Sequence, residues 1–173
     1  MALSEFSEKI INVGGNRIVH IPLEVSKAFP SRGMVMGRGT VGGFPVDLAL
    51  EPDGKGSHWF MVSESLFAAL GADENEMVTV ALDILDEWYE PDVPNDLYQA
   101  LESADLVDTW LSLTTKARWE WIRWIRFTNN PDTRKKRIDV TCSKLESGKR
   151  RPCCFDLSRC TDTSVSKNGV LLD

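Results

Sequence analysis

Histidine and cysteine are scarce in this chain, and no apolar run is long. The 173 residues include two histidines and four cysteines. His20 and His58 sit in strand-like segments, with no serine, cysteine or aspartate at a spacing that reads as a catalytic triad. The cysteines fall at positions 142, 153, 154 and 160 without a Cys-x-x-Cys pair, so neither a metal site nor a cofactor is expected. Cys142 reads as a core thiol, and the other three as part of a loose tail. No stretch approaches the ~20 apolar residues that cross a bilayer. Residues 1–15 lack a basic segment followed by an apolar one, so no secretory signal is read and a cytoplasmic location is expected. Disulfides are disfavoured in that compartment. Gly14-Gly15 and Gly42-Gly43 read as hairpin turns and do not match a phosphate-binding loop. Without a converging acid, base and nucleophile, no enzymatic activity is expected.

What the chain does have is charge, unevenly placed. Lys and Arg number 20 against 26 Asp and Glu, a net charge of −6. Residues 116–151 carry twelve Lys/Arg against four Asp/Glu, whereas residues 1–115 carry six against nineteen. Such polarity bears on partners more than on fold. Hydrophobic content is ordinary, and the length suits one moderate domain or two small ones.

Residues 3–88 read as mostly β. Ile10 to Val13 and Arg17 to Ile21 flank the first glycine pair, and Met34 to Val41 and Phe44 to Leu50 flank the second. His58 to Val62 and Met77 to Ile84 supply further strands. Short helices are predicted from Leu23 to Phe29 and, capped by Ser63, from Glu64 to Leu70. The order strand–Ile21-Pro22–helix–strand is echoed by strand–Val62-Ser63–helix–strand, which predicts a small split barrel with pseudo-twofold symmetry. Residues 85–95 hold two prolines and several acids and read as a boundary.

Beyond it the pattern is helical. A cap at Asn95 or Asp96 opens one helix, and Leu106 to Leu111 forms another. Thr114 or Thr115 caps a wide-faced amphipathic helix that carries Trp119, Trp121, Ile122, Trp124 and Ile125. Asn129-Asn130-Pro131 breaks it, and Asn130 caps a last helix with Pro131 first, running to about Glu146 before Gly148. The fold class is therefore α+β, with a barrel at 1–88, an all-helical module at 89–151 and a flexible tail at 152–173.

Five residues stand out as candidates for binding. Arg134 and Arg137 share a helix face and have the guanidinium fork that grips phosphate or carboxylate; the competing expectation is that they hold neighbouring structure together. Lys135 and Lys136 lie between them and read as solvated. Trp124, with Trp119 and Trp121, could stack on a ligand, although helical spacing favours core.

Val93-Pro94-Asn95-Asp96-Leu97, Trp119 with Trp121-Ile122, and Asn130-Pro131-Asp132-Thr133-Arg134-Lys135-Lys136-Arg137-Ile138 followed by Leu145 and Gly148-Lys149-Arg150 resemble the bacteriocin-protection family, also called YdeI/OmpD-associated. Ile21-Pro22-Leu23-Glu24-Val25, Gly39 to Pro45, Leu70-Gly71 and Val78-Thr79-Val80 resemble the small β domain of unknown function commonly fused ahead of it. The resemblance implies a split barrel plus a helical module in cytosolic bacterial proteins without an established enzymatic activity. Arg126-Phe127-Thr128 departs from the small residue and lysine often found there. Two functions follow as expectations: a binding or protective protein directed at bacteriocins, cationic peptides or another macromolecule, or a nucleic-acid-binding regulator that uses the basic helix pair. No membrane partner is expected, and the chain is read as a monomer or weak dimer.

Overall fold

The computed structural model describes residues 3–152 and 161–172. The chain divides into two compact units, one of Met1–Glu87 with Leu157–Asp173 and one of Trp88–Asp156.

The first unit is a closed antiparallel barrel. Its strands are β1 (Ser4–Val13), β2 (Asn16–His20), β3 (Val35–Val41), β4 (Phe44–Pro52), β5 (His58–Met61) and β6 (Met77–Leu85), in the order β1-β2-β5-β4-β3-β6. Helix α1 (Leu23–Ser26) joins β2 to β3, and α2 (Glu64–Leu70) joins β5 to β6. Exchanging β1, β2, β3 with β4, β5, β6 returns the same neighbours, so the topology has the expected pseudo-twofold. Register agrees. Moving Ile21 onto Val62 turns the pair Ile18↔Met61 into Trp59↔His20, which is itself a pair of the β2–β5 ladder. Inward residues alternate along the strands, and Ile10, Val19, Val41, Leu50, Phe60, Val80 and Leu82 are completely buried in one core.

Two details differ from the sequence reading. β1 begins at Ser4 because Ser4–Lys9 pairs with β6, although Phe6 is its one large apolar side chain there. Helix α1 stops at Ser26 and continues only as three-residue turns to Phe29, since Pro30 disfavours helical geometry in the residue before it.

The largest correction concerns the tail. Residues 161–172, read from sequence as flexible, belong with the barrel. They form a hairpin of β7 (Ser166–Lys167) and β8 (Val170–Leu171) around Asn168-Gly169, both at positive φ (54° and 78°), as a tight primed turn demands. Val165 and Leu171 join Val13, Ile18 and Trp59 in a second core cluster of this unit. Cys153, Cys154 and Cys160 lie outside the described residues.

The second unit holds α3 (Asn95–Ser103), α4 (Val107–Leu111), α5 (Thr115–Arg126) and α6 (Pro131–Glu146). Its core is Leu97, Leu101, Leu106, Trp110, Leu113, Trp121, Ile122, Ile125, Ile138 and Leu145. Thr114 Oγ1 accepts from the Ala117 amide, and Asn130 Oδ1 from those of Asp132 and Thr133, so both expected caps form. Among the described residues no helix is long and apolar enough to cross a membrane.

Candidate binding surfaces

The last two helices bring the predicted site residues together, but largely to bind the protein itself. Pro131 fixes the start of α6, and one turn later Arg134 reaches Asp96 on α3: Nε donates to Oδ2 at 2.7 Å and Nη2 to Oδ1 at 3.0 Å. The Arg134 hydrogen bond is the main reason the Asp96 carboxyl is held below its usual range. Arg137, the next turn on, donates from Nη1 to the carbonyls of Trp124 at 2.8 Å and Phe127 at 2.9 Å. Those carbonyls belong to the C-terminal end of α5, where the Phe127 amide already donates to the Trp124 carbonyl at 3.3 Å and Arg137 adds a second donor. The guanidinium also lies 5.4 Å from the centre of the Trp124 ring. Trp124 is half-buried and meets Trp121 edge-on, with centroids 6.0 Å apart. Lys135 and Lys136 are exposed.

Arg118 follows the same rule. It is buried, and donates to the Leu111 and Leu113 carbonyls and to Glu90. Arg150 donates to the Ser112 carbonyl at 2.9 Å. Trp119 and Trp121 are tied down through their indole N–H groups, to the carbonyls of Tyr89 (2.6 Å) and Arg150 (3.0 Å). Between α3 and α6 lies a groove of about 410 Å³ lined by Ala100, Pro131, Ile138, Gln99, Arg134 and Lys135, among others.

Three acids of this unit are placed differently. Glu102 on α3, Asp105 in the connection and Asp108 on α4 are all exposed, and Tyr98 (42 % exposed) and Leu111 (63 % exposed) accompany them. No lysine or arginine occurs between Lys55 and Lys116, so no basic residue neighbours them in sequence.

In the barrel both histidines have partners that the spacing did not disclose. His20 Nε2 donates to Asp53 Oδ2 at 2.7 Å. Asp53 is almost completely buried, and its other carboxylate oxygen accepts from the amides of Lys55 and Ser57. Burial pulls this carboxyl upward, but the His20 bond and the two amides outweigh it and hold the pKa at about 2. His58 Nε2 donates to the Gly33 carbonyl at 2.7 Å, which leaves Nδ1 to accept the Ser26 hydroxyl proton at 2.5 Å. Burial pushes the imidazole down to a pKa of about 4, so it is neutral at pH 7. Serine and histidine are thus within reach of each other, but both are completely buried and the hydroxyl is not presented to solvent. Arg32 closes this polar knot by donating to the carbonyls of Ser26, Phe29 and Gly56. Partners 32 and 33 residues apart leave no short-range signal. Only the strand–turn–helix echo around Ile21 and Val62 points toward them.

The hairpin of residues 161–172 is the structural feature that the sequence reading lacks. Its signal is Asn168-Gly169 between Val165 and Val170-Leu171, a strong hairpin pattern that no sustained periodicity accompanies.

Comparison with known families matches both parts of the chain. Residues 6–82 match the family described as Domain of unknown function (DUF1905). No curated protein matches the chain significantly. Residues 90–148 match the family described as Bacteriocin-protection, YdeI or OmpD-Associated, so the two matches stand in the N-to-C order that the resemblance implied.

Proposed function

We propose that this chain is a binding protein with a protective role, which sequesters a cationic peptide on the acidic outer face of α3 and α4 and performs no catalysis. One observation carries the reading: in the helical unit four arginines are engaged by the protein's own acceptors, while three acids on or between α3 and α4 face solvent. Arg118, Arg137 and Arg150 hold backbone carbonyls and Arg134 holds Asp96, while Glu102, Asp105 and Asp108 face solvent beside Tyr98 and Leu111. A peptide rich in lysine and aromatic side chains meets complementary charge there, with Tyr98 and Leu111 as apolar contacts. The match of residues 90–148 to a family described as bacteriocin-protection supports a protective role. Exposed ion pairs are individually weak, so the affinity is expected to be micromolar and salt-dependent. Nucleic-acid binding by the basic helix pair, the alternative, retains Lys135 and Lys136 on the second turn of α6 and Lys149 to Arg151 beyond its end as exposed cations, few for the many phosphate contacts of tight nucleic-acid binding.

The test is calorimetric titration of the full chain with a lysine- and tryptophan-rich peptide, its glutamate-substituted counterpart and a DNA duplex, at low and physiological salt. The expected result is binding of the cationic peptide alone, weakened at least tenfold by Glu102→Lys with Asp108→Lys. Equal binding by that variant removes the assigned surface. DNA binding at physiological salt, abolished by Lys135→Glu with Lys136→Glu, replaces the reading with the alternative.

A further inference from the structure

The end of the barrel where the β1–β2 and β4–β5 turns lie is shaped to receive another piece of backbone. Both turns present glycine to the same partner. A Cβ on Gly14 would lie 2.1 Å from the Ser164 carbonyl oxygen, and one on Gly54 would lie 2.1 Å from that of Gly169. No side chain fits either approach, so these glycines make room for a chain running across both turns. The surface between them is apolar: Val13, Ile18 and Trp59 receive Val165 and Leu171, with Ile11 and Met61 at the margin. Its polar groups are directional. Trp59 Nε1 donates to Thr161 Oγ1 at 2.8 Å, the Asn16 amide to Ser164 Oγ at 3.1 Å, and the Leu171 amide to the Asp53 carbonyl at 2.9 Å. His20 and the amides of Lys55 and Ser57 in turn fix the Asp53 turn that offers that carbonyl.

The occupant lies outside both matched regions, which end at residues 82 and 148. Each of its strands is two residues long. An isolated two-stranded hairpin is marginal in water even when longer, so this one owes its form to what it covers. We infer that the pseudo-twofold end of the barrel is a peptide-docking seat for a β-hairpin with an Asn-Gly turn and two inward aliphatic side chains, filled here by the chain's own residues 161–172 as an exchangeable plug. The seat reads a hydroxyl at the indole, two carbonyls at the glycines and aliphatic groups at Val165 and Leu171. A hairpin supplied in trans with the same features competes for it. A plug on the same chain competes at an effective concentration on the order of millimolar, so dilute free peptide does not displace it from the native protein.

The experiment uses the full chain carrying Val165→Asp and Leu171→Asp, which unseats the plug without removing it, and a synthetic peptide of residues 161–173. The readout is the Trp59 indole N–H resonance. In the double variant this resonance should move, and should return to the native position on saturation with one equivalent of bound peptide. The native chain should take up at least tenfold less peptide at the same concentration. A folded variant whose Trp59 resonance ignores millimolar peptide overturns the proposal, as does a native chain that binds the peptide equally well. Should the double variant fail to fold, hydrogen exchange on the native chain decides. The Leu171 and Leu172 amides should exchange at least tenfold faster than those of Val19 and Phe60, because an exchangeable plug opens without the barrel. Equal protection would mean that the segment is a fixed part of the barrel.

Discussion

Arg137 joins the start of α6 to the end of α5 through two carbonyl oxygens and one aromatic face. Replacing it by alanine leaves the Trp124 and Phe127 carbonyls without that donor, and roughly 1–3 kcal/mol of stability should be lost. Arg134→Ala removes a half-exposed ion pair with Asp96 and should cost no more than about 1 kcal/mol. Lys135→Glu with Lys136→Glu should leave the melting temperature nearly unchanged, so three melting curves separate these roles. Trp121 is completely buried, and alanine there should cost about 3–5 kcal/mol. Acid titration addresses His58. Its folded pKa of about 4 lies below the ordinary 6.5, so below pH 6.5 the unfolded chain binds a proton that the folded chain refuses. Stability should therefore fall by up to about 1.4 kcal/mol per pH unit from 6.5 toward 4. Asp53 acts in a different window. Its contribution is present above pH 3.8 and is lost as the pH falls toward 2. Urea midpoints between pH 7 and 4 should show the His58 slope, and His58→Asn should flatten it.

At the scale of the element, two glycines in one hairpin differ in kind. A Cβ on Gly39 would stand 1.8 Å from the Ala81 carbonyl oxygen, so Gly39→Ala has to push β3 away from β6. Gly43 has open space around it and only a positive φ of 85° to defend. Gly43→Ala should cost about 1 kcal/mol, while Gly39→Ala should cost several and open the barrel seam, which amide exchange at Thr40 and Leu82 would report. This contrast bounds what the sequence reveals. Local signals were legible: Ser63, Thr114 and Asn130 cap the helices they were read to cap, and Gly71 and Gly148 end helices at positive φ. Ser4–Lys9 was not legible as strand, because its place is set by β6 some seventy residues away and its outward residues are polar. The arginine partners were half legible. Spacing put Arg134 and Arg137 on one face, but which carbonyl or carboxylate each would meet depended on how α3 and α5 pack against α6.

At the scale of the whole molecule, each unit has its own core, and the barrel draws part of its own from residues 161–172. A fragment of residues 1–90 lacks Val165 and Leu171 and leaves Val13, Ile18 and Trp59 uncovered. It should melt lower than the barrel in the full chain or aggregate, and peptide 161–173 should raise its melting temperature. A fragment as stable alone as in the full chain would show that the hairpin contributes nothing to the core.

The pseudo-twofold has a last consequence. The two turns that cradle the plug are equivalent halves of one repeat, and each meets a carbonyl of the hairpin with a glycine, Ser164 at Gly14 and Gly169 at Gly54. A ligand rotated by half a turn about the barrel's symmetry axis would again find glycine under both ends. The backbone of the seat does not distinguish these poses, but its side chains do. Trp59, whose indole donates to Thr161 Oγ1, has Ile18 as its topological counterpart, so only one of the two poses finds that donor and a free hairpin should take the pose of residues 161–172. Such a receptor is degenerate in its backbone, and the asymmetry that resolves it belongs to its side chains.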